Sequence, residues 1–98
     1  MTITKTRKDT ELTIALDGRL DTTTAPDLDR EIHTSLADVT GLVLDLEGLT
    51  YISSAGLRIL LSAQKIMNKQ GSMVLRNVRP EIMEIFVITG FDDILTIE

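Results

Sequence analysis

The stretch from Leu42 to Met67 constrains this chain more than any other. Leu42-Val43-Leu44 with Leu46 is an apolar run with the length and branching of a buried strand, and a long helical pattern begins near Ala55. Ser53 and Ser54 fall where the chain leaves the sheet and enters the helix, so a hydroxyl there can cap free backbone N–H groups. The same hydroxyl stands at the positive end of a helix dipole, a favourable place for a phosphate if one is attached. A phosphorylation-controlled docking site at this junction, held in place by the rest of the chain, is the working expectation, beside the plainer role of a helix cap.

Ninety-eight residues suffice for one small core and not for two, so residues 1–98 are expected to form a single domain. An apolar fraction of 43% and a charged fraction of 26% are ordinary for a folded protein. A net charge of −5 supplies no basic face for a phosphate backbone, which argues against direct nucleic-acid contact. Cysteine is absent, so there is neither a disulfide framework nor thiolate chemistry. Met1-Thr2-Ile3-Thr4-Lys5 lacks the apolar run of a signal peptide, and no window has the length of a membrane span. A soluble, cytoplasmic, monomeric protein without membrane contact is the expectation.

Ile3 to Lys5 and Leu12-Thr13-Ile14-Ala15-Leu16 both alternate across the polar Arg7-Lys8-Asp9-Thr10, which predicts an opening hairpin with Leu12, Ile14 and Leu16 inward. Thr24, with Asp27 three residues on and Pro26 between, predicts a capped helix start. Leu28, Ile32, Leu36 and Val39 share a face of that helix, and Gly41 is expected to break it. In the second helix, Ile59, Leu60, Ala63, Ile66 and Met67 cover one side and Arg58, Ser62, Lys65 and Lys69 the other. Leu57 and Leu61 fall between these faces as candidates for a partly exposed apolar patch, with packing on a neighbouring element as the commoner fate of such leucines. Gly71, a strand Ser72–Arg76, a helix from Pro80 to Gly90 and a closing strand Ile94–Ile97 complete the order β-β-α-β-α-β-α-β. That order predicts an α/β domain with a mostly parallel central sheet, an antiparallel edge and helices packed on it.

Catalytic constellations are missing. The single histidine, His33, reads as a solvated helix residue, and Ser-Ser-Ala-Gly is not the Gly-x-Ser-x-Gly elbow of a hydrolase. There is no phosphate-binding loop of the Gly-x-x-x-x-Gly-Lys type, and one histidine without cysteine cannot build a zinc site. Asp17, Asp21, Asp45 and Glu47 would hold magnesium only if they converged, and scattered loop carboxylates are more often solvated. Three aromatic residues give little to stack a nucleotide base on. The chain is thus read as a binding protein without catalytic residues, metal or cofactor. Physics alone leaves Ser54 either a helix cap, worth about 1 kcal/mol, or a regulatory hydroxyl.

Gly18-Arg19-Leu20-Asp21, Leu44-Asp45-Leu46 and Tyr51-Ile52-Ser53-Ser54-Ala55-Gly56-Leu57-Arg58-Ile59-Leu60 resemble the STAS domain of bacterial anti-sigma factor antagonists. The resemblance runs from about Ile3 to Ile97. It implies a protein that binds, when unmodified, an anti-sigma factor that is also a serine kinase of the histidine-kinase-like ATPase type. Phosphorylation would release it, and a PP2C-type phosphatase would restore it. By position the implied phosphoacceptor is Ser54, two residues before Gly56, with Ser53 as rival, because the family's usual aspartate before the acceptor is here a serine. The implied partner-binding surface comprises Asp21, Thr22, Ser53, Ser54, Ala55, Gly56, Leu57, Arg58 and Leu61. Asp21 has a plainer role open to it, capping the threonine run that follows. The alternative is a STAS interaction subunit of a transporter ATPase or sensory scaffold, with no phosphorylation cycle.

Overall fold

A computed structural model describes all residues from Met1 to Glu98. The alternating segments pair as an antiparallel hairpin, β1 (Thr2–Lys8) with β2 (Glu11–Leu20), Lys8 facing Glu11. Asp9 makes the turn at φ 57°, a left-handed conformation that aspartate tolerates. The chain continues through α1 (Ala25–Ser35), β3 (Gly41–Ile52), α2 (Ser54–Gln70), β4 (Ser72–Arg76) and α3 (Pro80–Thr89). The sheet order is β1-β2-β3-β4; β2, β3 and β4 are mutually parallel and β1 is an antiparallel edge, the mostly parallel pattern that the sequence predicts. No helix is long and apolar enough to cross a membrane.

Strand alternation decides which face is dry. Leu12, Ile14 and Leu16 of β2, Leu42, Leu44 and Leu46 of β3, and Met73 and Leu75 of β4 form one apolar cluster. Leu28 and Ile32 of α1, Leu60 and Met67 of α2, and Ile82 and Phe86 of α3 join the same cluster, so the three helices cover one face. The other face carries the cross-strand row Thr6, Thr13, Val43 and Val74 and remains open to solvent on its polar members.

Four expectations change. α1 stops at Ser35, and Val39 reaches the core from the connection, its N–H donating to Leu36 O at 3.1 Å. Gly41 does not break the helix but begins β3, because pairing with Glu11 and Ser72 on either side holds it in the sheet. The buried stripe of α2 is Leu57, Leu60, Ala63, Gln64 and Met67, with Ile59 and Ile66 only half-buried. α2 packs against α1 as well as against β3 and β4, which rotates its covered face away from the position expected for a helix on a sheet alone. The closing strand shrinks to a single parallel bridge between Leu75 and Ile97. A 3-10 turn at Phe91–Asp93 commits the backbone through Leu95, whose N–H donates to Phe91 O at 2.8 Å, so only Thr96 to Glu98 remain to pair.

Candidate functional site

β2 and β3 end together. Leu20 and Ile52 are paired and buried, and Ser53 N–H donates to Leu20 O at 2.9 Å. The segments beginning at Asp21 and Ser53 therefore leave the carboxyl ends of adjacent parallel strands side by side, the end of an α/β sheet where loops are free to meet other molecules.

After β2, the turn is tied by its own side chains. Asp21 Oδ1 accepts from the backbone N–H of Thr23 at 3.0 Å and of Thr24 at 3.2 Å, and from the Thr23 hydroxyl at 2.8 Å. Thr24 Oγ1 accepts from Asp21 N–H at 2.9 Å and donates to Arg19 O at 2.8 Å. Hydrogen bonding from the Thr23 hydroxyl, aided by the backbone N–H groups and opposed by desolvation, holds the Asp21 carboxyl below its ordinary range. Asp21 thus caps the threonine turn, and the Thr24–Asp27 capping box expected at α1 does not form, since Thr24 makes no side-chain cap bond to the helix. Thr22 stands exposed at the apex.

After β3, the two serines divide. Ser53, at φ −97° and ψ 174°, is the N-cap of α2, and its Oγ accepts from Gly56 N–H at 3.3 Å. Ser54 is the first helical residue, exposed, with no hydrogen-bond partner for its hydroxyl. The cap role open to Ser54 in the sequence belongs to its neighbour. The first turn of α2 contains no acidic residue, so its dipole is uncompensated by charge.

Burial sorts the remaining expected surface. Gly56 is buried because the helix start presses onto the strand ends: a Cβ there would lie 2.7 Å from Leu20 Cγ and 2.9 Å from Ile52 Cγ1. Leu57 is only 7% exposed and belongs to the core, which removes it from the expected apolar patch; Leu61 and Ala55 are half-buried. The reason is the approach that Gly56 permits, which brings the next residue against the sheet. Arg58 is exposed and takes part in no ion pair.

Two residues that the sequence reading passed over as site residues also stand here. Arg19 and Tyr51 are partners in the β2/β3 register, the Arg19 guanidinium lies 4.1 Å from the Tyr51 ring centroid, and its Nε is 3.8 Å from Asp21 Oδ2. The signal was the parallel pairing of Gly18-Arg19-Leu20 with Tyr51-Ile52, which periodicity alone does not specify.

Elsewhere the chemistry is sparse. His33 is exposed on α1, with Nδ1 3.1 Å from Asp29 Oδ1. Asp17, Asp45 and Glu47 line a shallow groove of about 600 Å3 on the open sheet face beside Arg79; Asp21 does not line it, and no group of carboxylates is close enough to hold a metal ion.

Comparison with known proteins bears on the whole chain. The STAS domain family matches residues 2–98. BtrV of Bordetella bronchiseptica strain RB50, named as a candidate anti-sigma factor antagonist, is 38% identical over 93 residues, covering 93% of this chain and 80% of that protein. The crystal structure of an anti-sigma factor antagonist from Mycobacterium paratuberculosis superposes with a TM-score of 0.88 at 26% identity, over 98% of this chain and 83% of that one. The Bacillus cell fate determinant SpoIIAA in its phosphorylated form shares the fold, with a TM-score of 0.77 at 20% identity, over 99% and 91% of the two chains.

Proposed function

This chain belongs to the STAS domain family, and we propose that it acts as an anti-sigma factor antagonist, a regulatory binding protein switched by phosphorylation of Ser54. Unmodified, it docks through the ends of β2 and β3 and the start of α2 on an anti-sigma factor that is also a serine kinase of the histidine-kinase-like ATPase type. The proposed place of action is the cytoplasm and the proposed form a monomer. The observation that carries this reading is the division of labour between the serines. Ser53 is spent on the cap, and Ser54 offers a free hydroxyl at the first residue of the helix. The antagonist names carried by its relatives and its likeness to a protein solved in a phosphorylated form point the same way.

In the switch, Ser54 Oγ attacks the γ-phosphorus of ATP, the bond to the ADP oxygen breaks, and the hydroxyl proton passes to a base on the kinase. A PP2C-type phosphatase reverses it by hydrolysis, water supplying the oxygen of the released inorganic phosphate and a proton returning to serine. The added group carries about −1.5 to −2 charges. At the helix start the dipole accommodates it, so the fold persists. Against a partner's acidic group at ~4 Å the repulsion is about 4 kcal/mol at an effective dielectric near 20, and each 1.4 kcal/mol is roughly tenfold in affinity. One phosphate is enough to end docking.

The test is incubation with ATP and the cognate kinase, followed by intact-mass and peptide mapping. A gain of one phosphate on Ser54, lost in Ser54→Ala, is expected; a gain that survives in Ser54→Ala and maps to Ser53 would move the switch by one residue. No gain with any kinase of the same cell would favour the second reading, an unphosphorylated interaction subunit of a transporter or sensory scaffold, for which the fold likeness to a sulfate transporter family protein from Wolinella succinogenes speaks.

A further inference from the structure

The exposed cation nearest in sequence to the free hydroxyl has nothing to bind. Arg58 lies one helical turn after Ser54, both are exposed, and Arg58 makes neither an ion pair nor a hydrogen bond through its side chain. The residues one turn from it on either side, Ser54, Ala55, Leu61 and Ser62, are all uncharged. Helical side chains lean toward the N-terminus, so an arginine at position 58 has a group carried at position 54, one turn before it, within reach. An anion four residues before a cation is the more favourable order of such pairs.

We propose that Arg58 is an intramolecular clamp for a phosphate on Ser54. The guanidinium donates two parallel N–H bonds to phosphate oxygens, a geometry that its planar fork matches and a lysine would not. The consequence for the switch is that modification does two things at once. It places an anion at the end of the sheet and it withdraws from that surface the arginine that the unmodified protein presents to an acidic group on its partner. The clamp also explains how the helix start accepts a dianion next to the Asp21 turn, whose carboxylate is already paired with Arg19 at 3.8 Å and with Thr23.

This inference rests on Ser54 as the acceptor, and its test does not require a kinase. Phosphoserine is placed at position 54 of the full chain during translation, and the phosphate is titrated by 31P NMR in the otherwise unchanged protein, in Arg58→Gln and in Arg19→Gln. An adjacent guanidinium favours the dianion, so the second phosphate pKa is expected to rise by about half a unit in Arg58→Gln, with the difference shrinking as salt is raised. Arg19→Gln should leave it unchanged. Because Arg58 is exposed, both unmodified proteins should fold alike, and the melting temperature should fall with Arg58→Gln only in the phosphorylated form. An indistinguishable second pKa in the unchanged and Arg58→Gln proteins, or a rise confined to Arg19→Gln, overturns the clamp while leaving the kinase experiment untouched. Conversely, absence of enzymatic phosphorylation would overturn the switch and leave the measured pair standing.

Discussion

Ser53 Oγ accepts the Gly56 N–H at 3.3 Å, and that bond gives two adjacent serines different work. Ser53→Ala leaves a helix N–H without its partner and should cost about 1 kcal/mol of stability. Ser54→Ala removes an exposed hydroxyl without a partner and should change stability by less than about 0.5 kcal/mol. Ser54→Ala should at the same time yield a protein that docks and cannot be released, and Ser54→Asp one that docks poorly. Urea denaturation of the single variants and binding assays on the purified kinase check both halves; a larger stability loss at Ser54 than at Ser53 would reverse the assignment of the cap.

Gly56 separates two effects of opposite sign. Alanine in a helix is favoured over glycine by about 1 kcal/mol, yet here the new Cβ would sit 2.7 Å from Leu20 Cγ and 2.9 Å from Ile52 Cγ1, both on buried residues. Overpacking costs typically about 1–3 kcal/mol, so Gly56→Ala should destabilise the domain despite its better propensity. It should also weaken docking, since the strand ends that carry both loops must move. A stabilised Gly56→Ala variant would show that the helix start has room to lift.

Gln64 is a polar side chain on the buried face of α2, 6% exposed. Its Nε2 donates to Asn68 Oδ1 at 2.8 Å, while Oε1 has no partner. Gln64→Met keeps the volume and removes the unpaired acceptor, so thermal stability should hold or rise, by up to about 1 kcal/mol. A loss of about 2 kcal/mol or more would mean that the amide has a partner that its surroundings do not reveal.

The Asp21 carboxyl is held below its ordinary range by the Thr23 hydroxyl and the turn N–H groups. A carboxyl depressed by folding stabilises the native state above its unfolded pKa, taken as 3.8, and loses that contribution as pH falls through the lower folded value. Asp21→Asn should therefore be less stable than the unchanged protein at neutral pH, and the gap should close below pH 3.8. Glu31, depressed by its bond to Lys5, titrates in both proteins and cancels in the difference. Urea midpoints measured from neutral pH downward read the gap, and a gap independent of pH would remove the carboxylate from the turn.

Most of the architecture was written locally. The two-residue period of Leu12, Ile14 and Leu16, the run Leu42 to Leu46 and the helical pattern from Ala55 each need only a few neighbouring residues to be read, because strands and helices expose one face at a fixed repeat. What misled were elements whose fate depends on distant chain. Val39 continues the α1 spacing yet sits in a connection, and Ile94 to Ile97 looks like a strand yet is mostly claimed by the turn from Gly90. Leu57 reads as flanking and is buried because Leu20 and Ile52, from two other elements, bring the helix start down onto them.

The sequence by itself determined that a strand passes through two serines into an amphipathic helix, and that no catalytic constellation accompanies them. Periodicity and residue supply are properties of the chain alone. Only tertiary structure decided which serine is free. Pairing of Ser53 N–H with Leu20 O holds the exit of β3 extended, that fixes Ser53 as the cap, and the hydroxyl left over is Ser54. The same register sets Arg19 over Tyr51 from separate strands, a contact that exists only once the sheet has formed.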